Sequence, residues 1–205
     1  RSGYDLKTAR RSMNLMTIEW QNRGINMWTI DDGTIDLVTG IATYTLPADT
    51  IDLMEQVIRT GDGNVTTQSD LNISRISFAT YSSIPNKLTQ ARPIQVVVHR
   101  LEAAPTLTVW PVPDQGTALA PYYVLKYWRM RRIQDAGSGV ETPDMTFRFL
   151  PVVVAGLAYY IAMKAPELVD RLPMLKAAYE EQFGIAAGED REKATVRLVP
   201  RLSNW

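Results

Sequence analysis

In LTVWPVPDQGTALAPYYVLKYWRM, residues 107–130, two extended segments flank a proline-punctuated turn. Thr106–Trp110 alternates Thr with Leu, Val and Trp, the period of a pleated, half-buried strand. Pro111 and Pro113 lack the N–H that a ladder needs, so pairing is expected to stop there, and Asp114-Gln115-Gly116 has turn chemistry. Tyr122–Met130 carries aromatic and β-branched residues at the density of a second strand. Nothing in it is arranged for chemistry, and it reads as scaffold.

Working outward, Ile94–Leu101 is β-rich, and Ala103-Ala104-Pro105 turns it into the strand pair. Its His99 is the only histidine of the chain and has no partner histidine for a metal and no nucleophile pattern around it. Asp52–Arg59 predicts a strand running on to Thr60, ended by the turn Gly61-Asp62-Gly63-Asn64. That tetrapeptide lacks the spacing of a phosphate-binding loop. Val65–Gln68 is expected to return as a strand, and a short helix is expected from Ser69 or Asp70 to Tyr81, with Leu71, Ile73, Ile76 and Phe78 apolar. Ile35–Val38 and Ile41–Leu46 flank Thr39-Gly40 and read as a hairpin, with Ala42, Tyr44 and Leu46 on one side. Asp31-Asp32-Gly33 reads as a turn, since the acidic spacing of a calcium loop is absent.

Helical periodicity marks both ends. Leu6, Ala9, Met13, Met16 and Trp20 form one stripe in a helix begun by Ser2 or Asp5 and closed near Asn22 and Gly24, with Lys7, Arg10 and Arg11 off the stripe. Thr142-Pro143-Asp144 reads as a helix start. Phe147–Lys164 then sets Leu150, Val153, Val154, Leu157, Tyr160 and Ile161 on a broad apolar face, with only Arg148 and Lys164 charged, so burial on most sides is expected. Pro166 and Pro173 suit first turns, and Leu168, Leu172, Leu175, Tyr179 and Phe183 keep helical spacing toward Gly184 or Gly188. Gly137-Ser138-Gly139 reads as a flexible link. These elements predict an α+β protein: helices of 1–30 and 142–188 bundled beside an antiparallel β-rich region, 31–141, with a short helix near 70–81. An extended arm, 189–205, follows.

The 205 residues balance to a net charge of zero, with 45% hydrophobic residues. That argues against a strongly basic nucleic-acid binder or a polybasic membrane protein. The chain has no cysteine, so disulfides, thiolate metal sites and cysteine nucleophiles are excluded. The apolar run Leu150–Met163 is short of the roughly 20 residues that cross a bilayer. No secretory apolar region follows Arg1, and a start without Met is expected of a trimmed or processed chain. The charges are unevenly spread: residues 31–71 hold eight acidic side chains against Arg59 alone. These can be solvated surface, or an acidic face that meets a basic face on a neighbouring copy, with Asp31, Asp32 and Asp36 as candidates. The last segment, 191–205, is basic and keeps Val196, Leu198, Val199, Leu202 and Trp205, more large apolar residues than a disordered tail usually holds.

Trp110-Pro111-Val112-Pro113-Asp114, followed after a gap by a Tyr-rich strand, resembles the head-to-tail adaptors of short-tailed bacteriophages, the connector or tail-tubular subunits beneath the portal. Glu19-Trp20-Gln21-Asn22-Arg23-Gly24, the hairpin with Gly40 and Tyr44-Thr45-Leu46-Pro47, and Ile84-Pro85-Asn86-Lys87 before Arg92-Pro93 fit the same family in the same order. The resemblance implies a structural virion protein of the tail or neck, assembled in the host cytoplasm, without enzymatic activity or cofactor. It implies a ring of about twelve copies under the portal, contacts with nozzle and fibre proteins, and double-stranded DNA passing through the lumen. It also implies that the C-terminal extension docks on the portal, through Arg197, Leu198, Pro200, Arg201, Leu202 and Trp205. The acidic candidates would then face the lumen or a neighbouring subunit.

Other readings are a cell-wall polysaccharide hydrolase, which needs two facing carboxylates, and a tail nozzle or tube subunit. A nucleic-acid binder would use Arg129, Arg131 and Arg132 beside Tyr127 and Trp128.

Overall fold

The structure, a computed structural model, describes residues 2–25, 27–133 and 144–190, with the backbone alone for residues 2–5 and 27. Gly137-Ser138-Gly139, Thr142-Pro143 and the arm beyond Asp190 lie outside the described residues. The chain opens with α1 (Ser2–Asn22), followed by β1 (Ile30–Leu37), β2 (Thr43–Thr45), β3 (Thr50–Thr60), β4 (Ser69–Asn72) and β5 (Ser74–Arg75). Then come α2 (Phe78–Ser82), β6 (Gln95–His99), β7 (Thr106–Trp110), β8 (Tyr123–Arg131), α3 (Leu150–Ala162) and α4 (Leu172–Glu189). The fold is α+β. Two compact units divide it: Arg1–Trp28 with Ile133–Trp205, and Thr29–Arg132.

The second unit holds two four-stranded sheets, ordered β1-β8-β3-β4 and β2-β7-β6-β5, antiparallel except for the β5–β6 pair. Leu37, Leu53, Ile58, Tyr123, Leu125 and Tyr127 of the first sheet share one core with Val96, Val98, Leu107 and Val109 of the second. The expected strand pair around Pro111 and Pro113 is thereby corrected. β7 and β8 are both strands, but they belong to different sheets, and the proline segment crosses between them. Thr39-Gly40 behaves the same way. Instead of closing a hairpin it hands the chain from β1 to β2, with Gly40 at φ +79°, and Gly40 N–H donates to Pro113 C=O at 3.0 Å. Tyr44 Oη pins the corner, accepting from Val38 N–H and donating to Ile41 C=O, both at 2.9 Å.

Two further expectations fail for reasons that lie across the sheet. Asp31-Asp32-Gly33 is no turn but the middle of β1, paired with Trp128–Arg129 and Tyr127 of β8. The Tyr127 ring lies over Gly33, where an added Cβ would meet its Cζ and Oη at 2.5 Å. The helix expected over 69–81 shrinks to α2, capped by Ser77 Oγ accepting from Thr80 N–H. Residues 65–67 form a turn, and β4 pairs instead with Val57–Thr60. Leu71 and Ile73 stand two apart, the strand period, and Ile73 reaches the core.

In the helical unit, Met16 and Trp20 of α1, Phe149 and Val152 before and in α3, and Tyr179, Phe183 and Ala186 of α4 form one core. Leu6, expected on the α1 stripe, is exposed. Asp144 lies in no helix; a 3-10 turn at Phe147–Phe149 leads into α3, with Pro151 in its first turn. The apolar face of α3 is also corrected. Val152, Gly156 and Ala162 are buried, while Leu150, Val154 and Ile161 face water. Gly156 sets this rotation, because a Cβ there would lie 2.5 Å from Met16 Sδ and 2.8 Å from the Tyr179 ring. Close approach of three helices needs a residue without Cβ at the crossing. The α4 stripe is as expected, with Tyr179 and Phe183 buried and Pro173 in the first turn.

Candidate interaction surfaces

β8 runs between β1 and β3, so its side chains decide the charge of the sheet. Its inward side carries Tyr123, Leu125 and Tyr127 and ends at Arg129, whose side chain is 10% exposed. Arg129 Nη1 donates to Asp49 Oδ1 at 2.6 Å and to Thr50 Oγ1 at 2.9 Å, and Nη2 donates to Asp31 Oδ2 at 3.3 Å. Asp31 is the direct cross-strand partner of Arg129 and lies diagonal to Arg131, 3.8 Å away. Lys126 reaches Asp32 at 3.1 Å on the other face. Arg129 donates to Asp49 and holds its carboxyl below the usual carboxylate range, and Lys126 does the same for Asp32. These pairs explain how two aspartates and a glycine sit mid-strand.

The neutralisation extends over the acidic segment. Arg59 grips Asp70 with two donors, at 2.7 and 2.8 Å, and lowers its pKa. Asp52 takes Arg75 at 2.8 Å and also Arg100. Burial pushes Asp52 up, but the two arginines together bring it below the ordinary value. Asp62 lies 3.3 Å from Arg59. Of the eight acidic residues only Asp36 and Glu55 have no ion pair among the described residues. Of the expected acidic face, Asp31 and Asp32 are exposed but paired with cations of β8, and Asp36 is exposed at the far end of β1.

The helical unit carries a polar knot that sequence spacing did not reveal. Glu19 Oε2 accepts from Tyr160 Oη at 2.6 Å and from Tyr179 Oη at 3.0 Å, and Tyr179 Oη in turn accepts from Trp20 Nε1 at 2.9 Å. Burial, with Glu19 beside them, pushes both tyrosine hydroxyls well up. Arg23 pairs with Glu19 and, through two bonds of 2.7 Å, with Glu180, while its guanidinium lies 4.5 Å from the Phe183 ring centroid. Glu180, which the sequence left outside the apolar stripe, thus ties α4 to α1. Its carboxyl is held low by Arg23. Only the shared helical face of Glu19 and Arg23, four residues apart, could have signalled the pairing.

The remaining candidates fall as follows. Arg197, Leu198, Pro200, Arg201, Leu202 and Trp205 lie outside the described residues. His99 packs its ring edge-to-face with Phe78 at 4.6 Å. The basic-aromatic set of β8 is not a free strip, since Arg129 is buried among carboxylates and Arg131 lies near Asp31. Three surface concavities, of about 590, 420 and 270 Å³, have no carboxylate in their lining among the described residues. Lys7, Arg11 and Lys164 line the smallest. Among the described residues no group of His, Asp or Glu could hold a metal ion, and no helix is long and apolar enough to cross a membrane.

Charges paired with one another within the chain and an apolar helix face turned outward describe a protein that meets other proteins. The chain belongs to the SU10 adaptor protein family, whose model matches residues 4–201. It is a phage adaptor protein, a structural component of the virion that contacts other virion proteins. No curated protein matches the chain.

Proposed function

We propose that this adaptor joins head to tail in a short-tailed phage, as a ring of about twelve copies seated under the portal. The ring presents a platform to the tail nozzle and fibres and encloses a lumen through which double-stranded DNA moves in packaging and ejection. It is assembled in the host cytoplasm and remains in the neck of the virion. The family match over residues 4–201, nearly the whole chain, carries this reading. The portal contact is assigned to residues 191–205, with Leu198, Pro200, Leu202 and Trp205 as anchors and Arg197 and Arg201 pairing carboxylates or carbonyls. Many weak anchors in one ring would act together. On the β unit, Asp31, Asp32 and Asp36 are the acidic candidates to face the lumen or a neighbour, Asp36 being the one without an ion pair among the described residues. A lumen that must release DNA is served by paired rather than free cations, because neutralising phosphates gives tight, salt-sensitive binding.

The test is size-exclusion chromatography with mass detection, with and without portal, for the full chain and for a chain lacking residues 191–205. The full chain is expected to be captured as a ring and the shortened chain to stay free with an unchanged circular-dichroism spectrum. Capture of the shortened chain at full stoichiometry would refute the docking assignment.

A further inference from the structure

α3 carries no charge and, apart from two tyrosines, no polar side chain between Leu150 and Met163. A helix that faces water on one side ordinarily shows polar residues there. Here Phe147, Leu150 and Val154 are 80%, 56% and 71% exposed, and Ala158 and Ile161 continue the line at three- and four-residue steps. On the order of 400 Å² of apolar surface is left in one stripe, the size at which such patches mark interaction sites and about half of one side of a standard protein interface.

The same unit carries a face of opposite relief. On α4, Ala177, Ala178, Gly184 and Gly188 lie exposed on the face that also carries Met174 and Ile185, with Glu181 as the charge among them. A Cβ added at Gly184 or Gly188 would meet nothing within 4 Å. Neither glycine is needed for a turn or a contact among the described residues. Each nevertheless weakens the helix by about 0.5–1 kcal/mol relative to alanine. Close approach of an outside helix is the use such glycines have. Charge agrees: the α3 stripe is bracketed by Arg148 and Lys164, and the α4 face holds Glu181 without an ion pair among the described residues.

We infer that the bulky outer stripe of α3 in one copy packs into the small-residue outer face of α4 in a second copy of this chain. Because the two patches differ, the contact is head-to-tail, the kind that propagates around a ring. The inference rests on the adaptor reading only in requiring more than one copy, and it names the faces that meet.

The chain has no cysteine, so introduced thiols can be read directly. Full-length Val154→Cys and Gly184→Cys proteins are mixed and oxidised without portal. Val65→Cys, fully exposed in a turn of the other unit, replaces Val154→Cys in the control mixture. A disulfide-linked dimer at least about tenfold above the control and above either protein alone is expected, since a docked interface holds the thiols at millimolar effective concentration. Equal yield from Val154→Cys alone would mean that α3 packs on α3 and would overturn the inference. Yield no higher than the control would overturn it too, leaving the stripe to a portal or tail protein. Portal capture is measured separately, so failure of either experiment is distinguishable from failure of the other.

Discussion

Replacing Gly156 by alanine and replacing Gly184 by alanine are the same chemical change in two helices, and the structure gives them opposite signs. At Gly184 an added methyl meets nothing within 4 Å, so the helix gains only propensity, about 0.5–1 kcal/mol. At Gly156 the methyl would lie 2.5 Å from Met16 Sδ and 2.8 and 3.0 Å from two Tyr179 ring carbons. Met16 can swing, but its side chain is fully buried. Tyr179 cannot, because its hydroxyl is bonded to both Trp20 and Glu19. Overpacking of this kind costs about 1–3 kcal/mol, which outweighs the propensity term. Gly156→Ala should therefore lose about 1–2 kcal/mol net. Urea unfolding followed by circular dichroism at the helix band reads mainly the helical unit, since α2 is the only helix of the other. A midpoint that moves up, or moves the same way for both variants, would refute the packing at Gly156 and with it the rotation that turns Leu150 and Val154 outward.

Other substitutions test the β unit and the ion pairs. Gly33→Ala should destabilise the chain by about 1–3 kcal/mol, because the Tyr127 ring must leave the strand it covers; thermal unfolding of purified protein decides it. Arg129→Met keeps most of the buried stem but drops the bonds to Asp49, Thr50 and Asp31, for an expected loss of about 1–2 kcal/mol, limited because the freed carboxylates can be hydrated. Acid should weaken the wild type in a defined window. Asp49, Asp70 and Glu180 have native pKa values below their ordinary ones. Their contribution is therefore complete above about pH 5 and is lost as pH falls below about 4 through the depressed values. Denaturation midpoints from pH 7 to 3 should show that fall, with a shallower slope in Arg129→Met.

Strand periodicity was legible wherever one face is buried: β6, β7 and β8 lie within a residue or two of their expected positions, and Tyr44 and Leu46 face inward as their alternation implies. What stayed hidden depends on partners distant in sequence. Asp31-Asp32-Gly33 has local turn chemistry, and only Lys126, Arg129 and Tyr127, nearly a hundred residues on, make it a strand. β7 ends at Trp110 as read, although Val112 still bridges Gln90, and Thr39-Gly40 ends β1's run, but no local rule says whether a break closes a hairpin or changes sheets. On α3 every position but Tyr159 and Tyr160 is apolar, so periodicity could not choose a face, and one glycine did. Of the interaction candidates, Asp31 and Asp32 looked alike with Asp36 in sequence, and cross-strand cations separate them in space.

That separation changes what should hold copies of the chain together. Along the sequence, residues 31–71 look like an acidic surface seeking a basic one, yet Arg59, Arg75, Arg100, Lys126 and Arg129 of the same unit already take six of its eight carboxylates. Before and on α3, by contrast, Phe147, Leu150 and Val154 leave an apolar stripe exposed. The two kinds of contact respond oppositely to salt. Between about 0.1 and 1 M the screening length falls from about 10 to 3 Å, which loosens an exposed acidic-to-basic joint, whereas burial of an apolar stripe is insensitive to simple salt and strengthened by sulfate. Sedimentation velocity of the full chain across sodium chloride and then sodium sulfate should show self-association unchanged in the first and increased in the second. Dissociation by sodium chloride would return the joint to charged residues and remove α3 from it.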